Sequence, residues 1–316
     1  MKKVIVIGTF VADILLKGYD LSRVQLDNIA FLGSCGINVG GNACNVAMDL
    51  RKLGVGVQVM GRVAGDEFGN YILNEMKGIG IDCSCMQYDE TVNTGVSVVF
   101  IEKNGEKAIL QYVGANKALA FDEMGIDKDV DAAIITGLGL IPEIEDSLFE
   151  ITEFFTNRKI PVIIDTSANT SNLLAKMDSK VLRNIDYMII NEREVLDLTK
   201  ADSISCAAEM LRNRGCRNLI VKVGERGAYF WGEGKTFLKE GIKTTVVDTT
   251  GAGDAFLSGF TYALLDGADV EECVEFANML GSCCVEKMGS TNNIIKETYR
   301  NFIRWSLPNR ATNTIR

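Results

Sequence analysis

The chain has 316 residues, of which 33 are lysine or arginine and 42 are aspartate or glutamate, so its formal charge is −9. It contains no histidine, which excludes Ser–His–Asp and Cys–His catalysis and any histidine-ligated metal site. The acidic balance argues against a nucleic-acid partner and against an anionic membrane surface. A general base here must be an aspartate, glutamate, lysine, tyrosine or cysteine.

The cysteines and the apolar runs indicate a compartment. Nine cysteines are present without a Cys-x-x-Cys pair, a pattern typical of reduced thiols in a cytoplasmic protein. The first apolar run ends at Gly8 after four residues, which is too short for a signal-peptide core. No run reaches the roughly 20 residues of a membrane span. We therefore expect a cytoplasmic protein that does not enter a membrane.

Short apolar runs alternate with amphipathic stretches along the chain. Strands are predicted at residues 4–7, 57–59, 132–136, 162–165, 187–190 and 219–223. Helices are predicted at residues 42–53, 69–78, 144–157, 181–184, 192–198, 204–213, 253–265 and 270–287. This alternation predicts βαβ units and hence an α/β fold, in three αβα layers with a mostly parallel central sheet.

Two stretches interrupt this rhythm and predict a small β-sheet lid. Residues 94–100 and 107–113 are β-rich and flank Lys103-Asn104-Gly105, a hairpin signal. Residues from about 14 to 39 lack a clear helical period. We expect a single domain over residues 1–316, with the lid inserted from about 14–39 and 93–115.

Two segments near the start of the chain carry polar side chains next to predicted strands. Asp13 comes shortly after the first strand, and ligands of open α/β sheets bind outside the carboxyl ends of strands. Gly40 and Gly41 allow close backbone approach, while Asn42 and Asn45 offer amides suited to hydroxyl recognition. Taken alone, a surface aspartate and a glycine turn with an asparagine cap are the simpler explanations of these residues.

Two further segments follow strands in the second half of the chain. Asn191 and Glu194 share a helix face and could orient Mg²⁺-bound water near a nucleotide, although a helix cap is the alternative. Lys222, Gly224 and Gly227 form a glycine-bearing turn. This turn either lies near a nucleotide or is an ordinary end of a strand.

The most informative segment leads from two β-branched residues through Gly251-Ala252-Gly253 into a helix. Amides at the start of this helix can hold an anion, because a helix carries partial positive charge there. Asp254 lies in the first turn, where it could take a proton from an alcohol while the amides stabilise a transferring phosphoryl group. A first-turn acid favoured only by the dipole is the alternative. Because residue 256 is Phe, the dinucleotide fingerprint is incomplete, which makes a nicotinamide dehydrogenase a weaker alternative.

Taken in order, these motifs resemble those of the ribokinase-like (PfkB-type) carbohydrate kinases. The early Gly-Gly…Asn, the middle Asn-x-x-Glu and the late Asp-Thr-x-Gly-Ala-Gly-Asp match that family in order and spacing, over residues 4–290. The resemblance implies an ATP-dependent kinase that phosphorylates a hydroxyl group of a small sugar, using Mg²⁺. It also implies a large α/β domain whose small lid often pairs in a homodimer.

The resemblance assigns a role to each motif residue. Asp254 would be the catalytic base, and Gly251, Ala252 and Gly253 would form the anion hole for the γ-phosphate. The phosphate acceptor would be held by Asp13, Gly40, Gly41, Asn42 and Asn45. Mg-ATP would be held by Asn191, Glu194, Lys222, Gly224, Gly227 and, near the adenine, Asn278. A monovalent cation such as K⁺ would lie beside the anion hole, near Asp248, Thr250, Cys284 and Gly289.

Two departures from ribokinases proper leave the acceptor open. Asn42-Ala43-Cys44 stands where those enzymes often have Lys-Gly-Ala, and Gly137-Leu138-Gly139 occupies a stretch where some ribose-binding members carry an acid. One alternative is a nucleoside kinase, for which Phe10, Phe31 and Phe100 could furnish an apolar slot for the base. Another is a non-catalytic ligand sensor on the same scaffold.

Overall fold

The structure is a computed structural model that describes residues 1–18, 29, 31–101, 107–167, 170–232, 234–286, 289 and 291. The strands in these ranges are β1 (Lys3–Ile7), β2 (Val11–Lys17), β3 (Ser34–Gly40), β4 (Gly56–Met60), β5 (Arg62–Ala64), β6 (Gln87–Asp89), β7 (Gly95–Ile101), β8 (Lys107–Tyr112), β9 (Ala132–Leu138), β10 (Val162–Thr166), β11 (Tyr187–Asn191), β12 (Asn218–Lys222), β13 (Ala228–Gly232) and β14 (Lys235–Lys239). The helices are α1 (Asn42–Leu53), α2 (Glu67–Gly78), α3 (Pro142–Asp146), α4 (Leu148–Asn157), α5 (Leu173–Lys176), α6 (Ser179–Asn184), α7 (Glu192–Thr199), α8 (Ile204–Asn213), α9 (Ala252–Leu265) and α10 (Val270–Val285).

The large sheet contains eight of the described strands in the order β14-β13-β12-β11-β10-β9-β1-β4. Neighbours from β12 to β4 pair in parallel, whereas β13 and β14 add an antiparallel edge. Strands buried on both faces read as continuous apolar runs, which explains why β1, β9 and β10 are recognisable in the sequence. The predicted α/β fold with a mostly parallel sheet is therefore confirmed.

The core lies on both faces of the large sheet, as a three-layer arrangement requires. In β1, Val4 and Val6 pack with α1, α9 and α10, while Ile5 and Ile7 pack on the opposite side with α4 and α6. Alternate side chains of one strand thus enter two separate cores. Because all four are fully buried, the strand end that follows them is held rigidly.

The small sheet has the order β3-β2-β7-β8 and stands apart from the large one. β2 pairs antiparallel with β3 and parallel with β7, and β8 pairs antiparallel with β7. The predicted lid strands are thus present, but β2 begins at Val11 rather than near residue 14. The hairpin turn predicted at Lys103-Asn104-Gly105 lies outside the described residues, as do 19–28 within the first lid segment.

The side chain of Asn116 stabilises the segment between β1 and β2, where the chain passes from the large sheet to the small one. Its Oδ1 accepts a hydrogen bond from the amide of Phe10 at 2.8 Å, and its Nδ2 donates to the carbonyl of Phe10 at 2.9 Å. The same Nδ2 donates to the carbonyl of Val113, at the end of β8. A buried side-chain amide therefore pairs with the backbone as a neighbouring strand would.

Several predicted helix limits need correction. The helix predicted at 144–157 is two helices, α3 and α4, separated at Ser147. The carboxylate of Glu145 accepts hydrogen bonds from the amides of Gly139 and Ile141, which ties α3 to the loop before it. The helix predicted at 69–78 begins earlier because Asp66 caps it, accepting from the amide of Gly69 at 2.8 Å. The helix predicted at 270–287 ends at Val285.

Candidate active site

Asp254 occupies the first turn of α9 and is held by two asparagines of α1. Nδ2 of Asn42 donates to one carboxylate oxygen at 3.0 Å, and Nδ2 of Asn45 donates to the other at 2.7 Å. Burial raises the pKa of the Asp254 carboxyl, which is 6% exposed, and the two amides oppose this effect. The chain thus holds a buried carboxylate in one orientation, as a general base requires.

The backbone before Asp254 forms the start of α9. Gly251 is the N-cap residue with a left-handed φ of 79°, a conformation that favours glycine. No side chain caps this end of the helix, and the amide of Ala252 makes only a long hydrogen bond of 3.4 Å, to the carbonyl of Thr249. The predicted anion-hole residues Gly251, Ala252 and Gly253 therefore lie next to the buried carboxylate of Asp254.

The predicted acceptor residues meet on the other side of Asp254. Asp13 lies on β2 beside Ser97 of β7, whose hydroxyl group donates to its carboxylate. Burial raises the pKa of Asp13 to about 6, the hydroxyl of Ser97 opposes this, and the charge of Asp254 adds to it. The charge of Asp254 therefore acts on Asp13, as expected for two groups in the same region.

The paired glycines serve contacts within the chain itself. A β-carbon built on Gly40 would lie 2.2 Å from a carboxylate oxygen of Asp13. One built on Gly41, whose φ is 94°, would lie 2.5 Å from the carbonyl oxygen of Thr9. The close backbone approach expected at these positions is thus made to Asp13 and Thr9, and it brings the start of α1 against the ends of β1 and β2.

Asn191 and Glu194 form a capping box at the start of α7. The amide of Glu194 donates to Asn191 Oδ1 at 2.8 Å, and the amide of Asn191 donates to the Glu194 carboxylate at 3.3 Å. The same carboxylate accepts from the hydroxyl of Thr166 at 2.8 Å, and its charge raises the pKa of Asp254. The helix cap considered from the sequence is present, and it also directs a carboxylate towards the site.

Lys222 ends β12 and reaches across β11 to Asp165 at the end of β10. Its ammonium nitrogen lies 2.6 Å from Asp165 Oδ1, and both side chains are largely buried. A β-carbon built on Gly253 would lie 3.2 Å from that nitrogen. The ammonium group therefore lies beside the first turn of α9.

The remaining predicted nucleotide residues lie further along the same edge. Gly224 and Gly227 close the turn between β12 and β13, where the amide of Val223 donates to the carbonyl of Gly227. Nδ2 of Asn278 donates to the carbonyls of Lys239 and Glu240, at 3.1 and 3.3 Å. These contacts fix the segment after β14 and do not test the roles that the sequence assigns to Gly224, Gly227 and Asn278.

The four residues predicted for a monovalent cation come together just before α9. Asp248 accepts from the amide of Thr250 at 2.9 Å with one oxygen and from the amide of Gly289 at 3.0 Å with the other. The thiol of Cys284 donates to the carbonyl of Thr250 at 3.4 Å. Carboxylate and carbonyl oxygens therefore converge there, which is the donor type that hard cations prefer.

Two residues of the site were missed by sequence reasoning. Asp165 is the last residue of a predicted strand and is not predicted as a site residue. An aspartate at the carboxyl end of an apolar run nevertheless indicates a ligand-binding position, because ligands of α/β sheets bind there. Thr166 follows Asp165 directly. The aromatic slot considered from the sequence does not form from the residues named for it, since Phe10 is fully buried in the core and Phe31 is 84% exposed.

Comparisons with known proteins identify the family and the fold. Residues 1–297 match the profile of the pfkB family carbohydrate kinases. A ribokinase of Arabidopsis thaliana is 28% identical over 298 residues, covering 90% of this chain and 76% of the relative. The solved structure of Arabidopsis thaliana ribokinase complexed with ribose and ATP has a TM-score of 0.83 at 24% identity, covering 96% of this chain and 99% of that one. A Burkholderia thailandensis nucleoside kinase in complex with inosine has a TM-score of 0.77 at 19% identity, covering 95% and 98%.

Proposed function

The chain belongs to the pfkB family of carbohydrate kinases, and on this premise we propose that it transfers the γ-phosphoryl group of ATP to a hydroxyl group of a small sugar. The observation that carries the proposal is the buried carboxylate of Asp254, which Asn42 and Asn45 orient beside the uncapped start of α9. A base next to an anion hole suits group transfer, whereas a protein that only senses a ligand has no use for the base.

The proposed reaction is a direct displacement at phosphorus. The carboxylate of Asp254 takes the proton of the acceptor hydroxyl, whose oxygen forms a bond to the γ-phosphorus. The bond from that phosphorus to the bridging oxygen of ATP breaks, and ADP leaves. The amides of Gly251, Ala252 and Gly253 at the start of α9 stabilise negative charge on the transferring group, and the amide of Ala252 gives up its long hydrogen bond to Thr249 to do so.

We place the acceptor between the two sheets. Asp13 would accept hydrogen bonds from its hydroxyl groups, next to Gly40 and Gly41. Asn42 and Asn45 would border it, since they already contact Asp254. The charge of Asp254 acts on Asp13, and Gly40, which packs against the Asp13 carboxylate, lies two residues before Asn42, which donates to Asp254; both observations support one acceptor site.

The nucleotide would lie along the carboxyl edge of the large sheet, past Asn191, Glu194, Lys222, Gly224 and Gly227, with its adenine near Asn278. Glu194 is the carboxylate suited to hold Mg²⁺, with Asn191 acting through water. No cluster of three or more metal-binding side chains occurs in the part of the chain that the structure describes. This fits Mg²⁺, which usually takes one or two carboxylates together with the phosphates of its nucleotide. The ion would neutralise phosphate charge during transfer.

A monovalent cation beside Asp248, Thr250, Cys284 and Gly289 would help to fix the loop that leads into α9. The test is to exchange potassium for a larger organic cation at constant ionic strength. We expect slower turnover, because the oxygens around Asp248 converge on a small space. Equal rates in both salts would remove the cation from the proposal.

Assembly and compartment are also part of the proposal. Large apolar side chains of the small sheet are exposed, among them Ile37, Leu110 and Tyr112, and this supports a homodimer formed through that sheet. Light scattering coupled to gel filtration would report the mass of the assembly.

Among the described residues, no helix has the length and apolar character needed to cross a membrane. The cytoplasmic location is inferred from the cysteine pattern of the sequence.

The deciding experiment measures ADP release from Mg-ATP with a panel of pentoses, hexoses, sugar acids, phosphosugars and nucleosides. We expect turnover that depends on a sugar acceptor and that is lost in the Asp254→Asn variant. Turnover with nucleosides alone would replace the sugar kinase by a nucleoside kinase. If no member of the panel supports turnover but one of them raises the thermal stability of the protein, the ligand sensor is favoured.

A further inference from the structure

The ammonium group of Lys222 lies in an electrostatically unusual position. It pairs with Asp165 at 2.6 Å, and the space left by the missing side chain of Gly253 separates it from the start of α9. The start of a helix carries partial positive charge, so a cation is disfavoured there. Two positive groups therefore face the same small space. This arrangement becomes favourable when an anion enters between them.

The carboxylates around Lys222 keep it charged. Burial lowers its pKa, but the carboxylates of Asp165, Glu194 and Asp254 raise it, and the net direction is upward. Asp165 also accepts a hydrogen bond from the hydroxyl of Thr136, at 3.3 Å, on the neighbouring strand β9. The ion pair thus joins β12 to β10 across β11, and Thr136 ties it to β9. A buried ion pair adds little stability compared with apolar residues of similar volume, so stability alone does not account for it.

We propose that Lys222 is a catalytic residue whose ammonium group contacts the phosphoryl group in transfer, and that Asp165 is the positioning residue that holds it opposite the amides of α9. This proposal rests on the proposed function and deepens it. Lys222 supplies a positive charge from one side of the transferring group, and the helix amides supply partial charges from the other. Asp165 limits the rotamers of the lysine, so little reorganisation is needed when ATP binds.

The test compares two variants of the full chain. Removing the lysine alone, as Lys222→Met, leaves the Asp165 carboxylate buried without its cation, and that change by itself can unfold the protein. The double variant Lys222→Met/Asp165→Asn removes both charges and keeps the volumes similar. We expect it to remain folded, with kcat lowered about 10²- to 10³-fold. The KM for the acceptor should change less than about threefold, because the lysine lies on the nucleotide side of Asp254.

A purely structural ion pair gives a different result. In that case the double variant, being folded and neutral, recovers a kcat close to that of the wild type, and this outcome would overturn the proposal. The matched control is Lys3→Met/Asp127→Asn. It removes a partly buried ion pair with a 2.5 Å contact at the amino end of β1, at the opposite end of the parallel strands from Lys222. Its kcat should be that of the wild type.

A binding measurement separates this proposal from the proposed function. The wild type should bind a non-hydrolysable Mg-ATP analogue more tightly than Mg-ADP, because Lys222 contacts the terminal phosphoryl group. The double variant should lose that preference, and an unchanged preference would overturn the role of Lys222. If no acceptor supports turnover while the preference is present and depends on Lys222, the proposed function fails and the phosphoryl contact stands.

Discussion

The carboxyl edge of the large sheet and the small sheet contribute to one site in different ways. The large sheet provides Asp165 and Lys222, and helix α7 that follows β11 provides Glu194, each next to a fully buried apolar residue. The small sheet provides Asp13 from a strand that is half-buried along most of its length. A polar group that emerges from a packed core has few alternative positions, whereas one on an exposed sheet depends on its immediate neighbours.

This difference suggests that the two regions have separate functions. The groups proposed for phosphoryl transfer lie on the rigid edge, and the group proposed to select the acceptor lies on the exposed sheet. Asn42 and Asn45 connect the two, because they begin α1 directly after β3 and contact Asp254 on α9. Substitutions on the rigid edge should therefore change kcat, and substitutions on the small sheet should change the KM for the acceptor.

The largest effect is expected from Asp254→Asn, which removes the base without changing its size. We expect kcat to fall by about 10² to 10⁴, the range for loss of general base catalysis, while ATP binding stays nearly intact. Steady-state kinetics and calorimetric titration with Mg-ATP measure the two quantities. A kcat close to that of the wild type would remove Asp254 as the base.

Asp13→Ala should affect acceptor binding instead. Hydrogen bonds to a charged group contribute about 1.5–3 kcal/mol, so we expect the acceptor KM to rise about 10- to 150-fold at pH 8 with a small change in kcat. In the wild type, acceptor affinity should also fall as the pH drops through about 6, because Asp13 then becomes neutral. If the variant keeps the acceptor KM of the wild type, Asp13 is not part of the acceptor site.

Asn42→Ala tests the connection between the two regions through the pH profile. The amide stabilises the ionised form of Asp254, so its removal should raise the pKa of the base further. The acid limb of kcat/KM should therefore move to higher pH, with a loss of about fivefold or less above that limb. Asn45→Ala is the matched variant on the other oxygen. A changed acceptor KM with an unmoved profile would assign Asn42 to substrate binding alone.

The smallest effect is expected from Ser97→Ala on the small sheet. Its hydroxyl group stabilises the charged form of Asp13, so the pKa of Asp13 should rise above about 6. The acceptor KM should then increase about two- to fivefold near pH 6.5 and stay unchanged near pH 8.5, where Asp13 is ionised in both proteins. A KM that rises equally at both pH values would indicate a packing effect.

The sequence predicts the two regions with unequal success, for a physical reason. Strands such as β1 and β10 are apolar on both faces, so their composition alone identifies them. The small sheet is half exposed and lacks that continuous signal, and its first strand starts three residues before the predicted limit.

In the site, too, residues that are close in sequence are predicted, whereas contacts between distant residues are not. Asp254 is identifiable because its glycine turn and helix are local in sequence, and its orientation by Asn42 and Asn45 is a contact across more than 200 residues. Asp165 and Lys222 are 57 residues apart, and their pairing follows only from the order of strands in the sheet. The glycines at 40 and 41 are predicted to let the backbone approach a ligand, and the contacts that the structure shows there are with Asp13 and Thr9 of the chain itself.

The segments that connect the large sheet to the small sheet lie close together, and this limits how the small sheet can move. Asn116 fastens the chain at Phe10, Gly41 touches Thr9, and a β-carbon on Gly95 would lie 2.7 Å from the Asn116 amide. Any rotation of the small sheet must therefore turn about this place. With about 3.3 Å per strand residue, a turn of about 10° moves the far end of β2 by about 4 Å and Asp13 by only about 1–2 Å. The far end of β2 therefore travels about two to four times as far as Asp13, but a displacement of about 1–2 Å already exceeds the range of a hydrogen bond, so rotation of the small sheet would make or break the proposed acceptor contact.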